Sequence, residues 1–455
     1  MGGTMKEWIN NELSTCKLKD KRLEVRLSNI LERFSEDPVA SIPASCKGWS
    51  ETQATYRLLN NERLDYKEII KPHTDSSERR LSGEKVVLMI NDTTSLDFTG
   101  AKGASDLGYI ENKYSSGLFL HPTVAITPKR LNLGVVDLQL WIRCYEDIGK
   151  KKLRKQLAFE DKESYTWFKS YKAADKIAQS NPSTQIISIG DRENDIFEIF
   201  SEAIKATSKA DILIRSCQNR KIASSGLLWE EMENSEIHAT IDLHLPKTEK
   251  RFARDITMTL QYKRVMLQAP YRKTGKLENI EITALLAREI NPPADSEAVE
   301  WMLLTTIPIA DKETAVKLLG YYSARWEIEV FFKILKSGCE VEKLQLHSKE
   351  NISKAIAIYL IVAWRIQFLM MLNRTCPEME ASRVFEQAEI EAICVIRNKN
   401  IIREKAPNLN EIITLIAIEG GFLARKSDKE PGAMTIWKGL IKLDSYTIMY
   451  MKMMK

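Results

Sequence analysis

Residues 322–336 read YSARWEIEVFFKILK. Wound as an α-helix at roughly 100° per residue, the stretch gathers Tyr322, Arg325, Glu329, Lys333 and Lys336 on one stripe roughly 80° wide. Most of the remaining circumference is apolar: Trp326, Ile328, Val330, Phe331, Phe332, Ile334 and Leu335, with Glu327 the exception. Surface helices usually have the opposite proportions. A carboxylate flanked by three cations and a phenol suits a metal ion and phosphate oxygens. A ladder of intrahelical salt bridges explains the same stripe, since Arg325/Glu329 and Glu329/Lys333 are i,i+4 pairs.

Two further carboxylates belong with this one. VVLMIN (86–91) and QIISIG (185–190) are short apolar runs that read as buried strands, ending in Asp92 and Asp191. Open α/β sheets place their sites at the carboxyl ends of neighbouring strands. Mg²⁺ takes carboxylate oxygens and keeps several waters, leaving room for substrate phosphates. Two such ions roughly 4 Å apart activate an attacking oxygen and stabilise a leaving one. That chemistry needs about three carboxylates and neither histidine nor cysteine. Taken singly, each strand-end aspartate also reads as a turn former or N-cap.

The 455 residues allow two to four domains, and 44% hydrophobic with 28% charged content suits a soluble globular protein. A net charge of +5 makes only a weak case for nucleic acid, so local basic clusters must carry that argument. Seven scattered cysteines without a CxxC pair, and five dispersed histidines, exclude a zinc site or disulfide framework and suit a reducing cytosol. The most apolar run, 355–371, is broken by Arg365 and Gln367 and reads as a buried core helix, so no membrane is expected. Residues 1–4 (MGGT) read as a dispensable leader or cloning scar.

The chain organises into five segments. Residues 5–80 read as helical, with Arg22, Arg26 and Arg57 on outer turns that either lie on DNA phosphates or face solvent. Residues 81–205 give three strands, a helix at 164–179 and the fourth strand, with 118–126 and 133–142 as a hairpin around TPKRLN. Residues 206–310 read as an inserted β-domain with basic tracts at Lys247, Lys250, Arg251, Arg254, Lys263, Arg264, Arg272 and Lys273. Helices return over 311–373, and 374–455 ends in an apolar segment from 434 that packs or dimerises.

NDTTSLDF (91–98), GDREND (190–195), REINPP (288–293) with EWMLLTT (300–306), and YSARWEIEVFFKILKSG (322–338) together resemble the bacterial cut-and-paste DDE transposases with the Y-(2)-R-(3)-E-(6)-K signature. Tyr322, Arg325, Glu329 and Lys336 reproduce that signature. The likeness extends more faintly to LKDKRLEVRL near the start and to EGGF and Trp437 near the end. It implies an α/β, RNase H-like catalytic core (βββαβ–insert–α) with an N-terminal helical DNA-binding domain and a C-terminal helical dimerisation region. Asp92, Asp191 and Glu329 would hold two Mg²⁺ ions, with Mn²⁺ able to substitute. Tyr322, Arg325, Lys333 and Lys336 would hold phosphates, Arg215 and Arg220 would contact DNA, and Trp301 would stack on a flipped base. The partners implied are terminal inverted repeats, target DNA and a second copy in a paired-end complex, in the cytoplasm at the nucleoid. Two rivals stay open: a nuclease that cuts without joining, and a transposase-derived regulator without chemistry.

Overall fold

The computed structural model describes residues 6–101, 104, 106–149, 157–224, 226–245, 253–272, 277–293, 297–398 and 406–454. Residues 1–4, Lys247, Lys250, Arg251 and Lys273 lie outside the described residues. The chain divides into two compact units. One comprises Met1–Leu81, Thr93–Gly149 and Glu327–Lys455; the other comprises Ser82–Asp92 and Lys150–Trp326.

Among the described residues the strands are β1 (Val86–Asn91), β2 (Thr94–Asp97), β3 (Gly108–Tyr109), β4 (Ser116–Ile126), β5 (Asn132–Trp141), β6 (Gln185–Gly190), β7 (Asp211–Arg215), β8 (Ala239–Leu245), β9 (Arg254–Leu267), β10 (Ile280–Glu289) and β11 (Glu300–Thr305). The helices are α1 (Glu7–Glu12), α2 (Lys21–Glu36), α3 (Ile42–Ser45), α4 (Trp49–Leu59), α5 (Tyr66–Leu81), α6 (Tyr165–Ser180) and α7 (Phe197–Ala203). They continue with α8 (Leu228–Glu233), α9 (Lys312–Ser323), α10 (Trp326–Lys333), α11 (Lys349–Thr375), α12 (Gln387–Ile396), α13 (Leu409–Glu419) and α14 (Ala433–Met453).

The unit that begins at Ser82 is built on one sheet. β1 and β6 pair in parallel, β6 and β7 likewise, and β7 then pairs antiparallel with β11, which leads through β10 and β9 to β8. β1 and β6 are buried along nearly their whole length, which is why their sequences are continuous apolar runs. β8 alternates exposed and covered positions, as an antiparallel strand with one solvated face does. β7 falls in the stretch read as the start of the inserted domain, yet it is hydrogen-bonded to β6 and extends the same sheet.

The other unit wraps helices around β4 and β5. β4 pairs antiparallel with β2, β3 and β5. β2 lies in the segment after Asp92 that reads as a polar turn; pairing with β4, not side-chain pattern, makes it a strand, and only Leu96 of its four residues is buried. α2 starts at an Asp20 N-cap that accepts from the Arg22 amide at 2.9 Å, and buries Leu27, Ile30, Leu31 and Phe34, a spacing that puts them on one face. Phe34 stacks on Tyr359 of α11 at 4.6 Å. α11 is long and apolar enough to cross a bilayer, but 89% of its apolar window is buried inside the protein, so it is the core helix of this unit.

α1, α5 and β5 are joined by a buried polar cluster. The Val135 amide donates to His73 Nε2 at 3.0 Å, so the ring proton sits on Nδ1 and is donated to Glu12. Arg80 donates to the same carboxylate at 2.8 Å. Burial alone would push the Glu12 carboxyl up, but His73 and Arg80 outweigh it and hold the group down at about 2.

Candidate active site

The two strand-end aspartates stand at the same level of neighbouring strands. The last Cα partners of the β1–β6 ladder are Ile90 and Ile189, so Asp92 and Asp191 each lie two residues further on. Parallel neighbours run roughly 4.8 Å apart, so the two aspartates leave the sheet from adjacent strand ends. Asp191 also caps the turn that follows, accepting from the Glu193 amide at 2.8 Å.

Four more predicted site residues join this pair within the same unit. Arg325 Nη1 donates to Asp92 Oδ2 at 2.9 Å, with both side chains under one-fifth exposed. Tyr322 is buried, and burial pushes its phenol up; the Arg215 and Arg325 guanidiniums pull the other way, Arg215 partly through a hydrogen bond, and Asp191 adds to the upward push. Arg215 Nη2 also donates to the Glu300 carbonyl at 2.9 Å, which fixes it at the mouth of β11. Trp301, half-buried on β11, meets Tyr322 edge-on at 5.4 Å. Asp92, Arg325, Tyr322, Arg215 and Trp301 thus form one connected set.

The uninterrupted helix expected over 322–336 is not what forms. α9 ends at Ser323, with the Ala324 amide folding back onto Gly320, Tyr321 and Tyr322 carbonyls. Arg325 sits at the junction, α10 runs only to Lys333, and residues 334–338 widen into a π turn in which the Cys339 amide reaches the Ile334 carbonyl at 2.9 Å. A stripe drawn at a constant α-helical angle therefore does not hold from end to end.

Glu329, Lys333 and Lys336 belong to the unit that resumes at Glu327. Glu329 is half-exposed on α10, Lys333 is exposed, and Lys336 lies 3.6 Å from Glu342. Glu327, the odd charge on the apolar face, is buried and anchors α10. Arg130 Nη1 donates to its carboxylate at 3.2 Å, and Gln367 of α11 donates to its carbonyl at 2.8 Å while accepting from Asn132 at 2.8 Å. Sequence reasoning missed this network because its members are far apart along the chain; the lone acid on an apolar face was the available signal.

Arg220, expected to contact DNA, faces inward in this structure. Instead of reaching outward, its guanidinium is 9% exposed and grips the fully buried Asp195, with Nε at 3.0 Å. Asp195 also accepts from the Cys217 and Gln218 amides, each at 2.8 Å. A buried carboxylate needs such donors, so Arg220 is held inside the protein. In the insert, Arg254 pairs with Glu289, Lys263 with Glu231, Arg264 with Glu281 and Arg272 with Glu198. In the helical N-terminal region Arg22 and Arg57 are exposed and Arg26 half-buried; Arg22 pairs with Asp20, and Arg57 donates to Gln53 at 3.2 Å.

Comparison with known proteins adds three matches along the chain. Residues 5–64 match the family described as Transposase DNA-binding, residues 222–365 the Transposase DDE domain, and residues 361–450 the Transposase Tn5 dimerisation domain. The chain is a DDE transposase. It resembles the Tn5 transposase. The DDE match takes in Tyr322, Arg325, Glu329 and Lys336 but begins after Asp92 and Asp191. Among solved structures this transposase is similar to the piggyBac transposase in a synaptic complex with hairpin DNA, at 10% identity and a TM-score of 0.40 over 93% of this chain and 79% of that one.

As a DDE transposase the protein binds DNA, forms dimers, and cleaves and joins DNA strands with divalent metal ions. The residues present fit such an ion. Asp92 and Asp191 offer hard oxygen donors from adjacent strand ends, the donor type that Mg²⁺ and Mn²⁺ take. Among the described residues no three His, Cys, Asp or Glu side chains are gathered as a metal site.

Proposed function

We propose that this transposase excises its own mobile element. It binds the terminal inverted repeats, nicks each end, closes the end as a hairpin, reopens it and joins the freed 3′ ends to target DNA. The observation that supports this most is the position of Asp92 and Asp191 just past the ends of two neighbouring parallel strands, with a guanidinium, a phenol and an indole linked beside Asp92. Residues 5–80 recognise the ends, with Arg22, Arg26 and Arg57 on phosphates; 81–205 and 311–373 form the core, 206–310 the insert and 374–455 the pairing region. The reaction takes place on chromosomal DNA in the cytoplasm.

Asp92, Asp191 and Glu329 would hold two Mg²⁺ ions, with Mn²⁺ as a substitute, and that metal charge would supply activation of the attacking oxygen and neutralisation of the leaving one. The chain itself positions the phosphate. Arg325 presents guanidinium donors beside Asp92, and the Tyr322 phenol donates its hydroxyl proton as a hydrogen bond. Lys333 and Lys336 add positive charge along the backbone. Water is the first nucleophile and the freed 3′-hydroxyl the second, so no covalent protein–DNA intermediate forms.

The test is the DNA flanking the gene. Short inverted repeats should bracket it, and a linear fragment carrying them, incubated with the protein and Mg²⁺, should give nicked, hairpin, excised and joined products in that order. Cutting without joining would make the protein a nuclease. End binding without cutting would make it a regulator.

Trp301 gives a sharper check. A hairpin at a blunt end forces a backbone reversal that extrudes a base, at a cost of a few kcal/mol. An aromatic face recovers roughly 1–3 kcal/mol of that. Trp301→Ala should spare the first nick and slow hairpin formation roughly 5- to 150-fold. Trp301→Phe keeps a ring against Tyr322 and should lose less. Time courses on end-labelled DNA separate the products; equal slowing of every step would assign Trp301 to packing alone.

A further inference from the structure

The two aspartates leave the sheet just where its main-chain pairing stops, yet their separation must be held closely for a pair of ions to bridge them. Asn91, the residue before Asp92, and Asn194, three residues after Asp191, meet at this point. Asn194 Nδ2 donates to Asn91 Oδ1 at 2.9 Å, and the two side chains are 3% and 1% exposed. The bond runs from the end of β1 to the turn after β6, continuing sideways what the ladder ends at Ile90 and Ile189.

Gly190 makes room for it. A Cβ there would lie 2.0 Å from Asn194 Nδ2 and 2.2 Å from its Cγ, so any side chain would drive Asn194 away from Asn91. On the other flank Asp195 ties the same turn to the segment after β7 through the Ser216 hydroxyl at 3.1 Å and the Cys217 and Gln218 amides. The turn that carries Asp191 is thus clamped to the strands on either side of β6.

We propose that Asn91 and Asn194, with Gly190 beneath them, are positioning residues that set the separation of Asp92 and Asp191 and thereby the affinity of the site for divalent ions. The inference rests on the reading of Asp92 and Asp191 as metal ligands. A neutral amide pair suits the task. It is directional, it fixes both partners without adding charge beside the carboxylates, and burial protects it from exchange with water. Groups that orient metal ligands typically change metal affinity 10- to 100-fold when removed.

The test uses the full chain with Asn194→Ala, Asn91→Ala and the double variant. Two readouts are taken: Mn²⁺ binding by calorimetry, and the Mg²⁺ concentration that gives half-maximal nicking of end-labelled DNA. Both should shift upward by roughly 10- to 100-fold in each single variant. The double variant should shift no further than the larger single, because the two side chains act through one bond. Where Asn194→Ala does not fold, Asn194→Ser keeps a polar group too short to reach Asn91 and carries the same measurement. A lowered thermal midpoint with an unchanged metal requirement would overturn the proposal and leave the pair a stabilising contact. Asp92→Ala and Asp191→Ala run alongside as controls. If they lose nicking while the asparagine variants keep their metal requirement, only this inference fails; if they keep nicking, the reading of the site fails with it.

Discussion

Asp92→Ala, Asp191→Ala and Glu329→Ala should each lower strand cleavage by at least about 1000-fold, since metal ions at a phosphoryl centre contribute several kcal/mol to transition-state stabilisation. End binding should survive in all three, because affinity for DNA rests on phosphate contacts made elsewhere. For Asp92→Ala the structure sharpens this. Its removal releases the Arg325 guanidinium from a 2.9 Å ion pair, so binding should be unchanged or tighter while cleavage is lost. Gel-shift titration and nicking of the same labelled end measure the two quantities on one preparation. A variant that cleaves at near wild-type rate in Mg²⁺ would remove that residue from the site.

The second large effect concerns pairing of the two ends. α14 has two halves of different character. Its first turns bury Ile436, Trp437 and Leu443 against the helices of its own unit, while Ile448, Met449, Met451 and Met453 remain exposed. Deleting the helix would therefore strip the core and confuse folding with assembly. Ile448→Glu combined with Met451→Glu addresses only the exposed part, on one face at i,i+3. Each side chain buried in a dimer contributes roughly 1.5–3 kcal/mol, so the double variant should weaken paired-end complexes by roughly 100-fold or more. Single-end binding and the thermal midpoint should not change. Undiminished pairing on a native gel would place the dimer contact elsewhere.

What could be read from the sequence follows the range over which each feature is determined. β1 and β6 are continuous apolar runs and α11 a long apolar stretch interrupted at Arg365 and Gln367, and burial leaves that trace in composition alone. The aspartates could be placed because each follows such a run directly. β2 could not, since TSLD becomes a strand only by pairing with β4. The break at Ala324 was hidden because Ala and Arg are good helix formers and nothing in YSARWE marks a stop. Arg220 looked like a surface cation until Asp195, 25 residues away, supplied a buried partner. Asn91 and Asn194 are 103 residues apart, and amides at that distance give no periodic signal.

The sheet that includes β6, β7 and β11 has a consequence for how the chain is made. β7 meets β11 through Arg215 and Leu303, with about 90 residues of chain between them. On the ribosome, at roughly 5–20 residues per second, β7 waits something like 5–18 seconds before its second neighbour emerges. During that interval β7, whose ILI core is apolar, is an open strand edge beside a nascent chain, the kind of surface that recruits unwanted strands. Synthesis rate through 216–299 should then govern soluble yield, and synonymous slowing of that stretch should lower it more than slowing elsewhere.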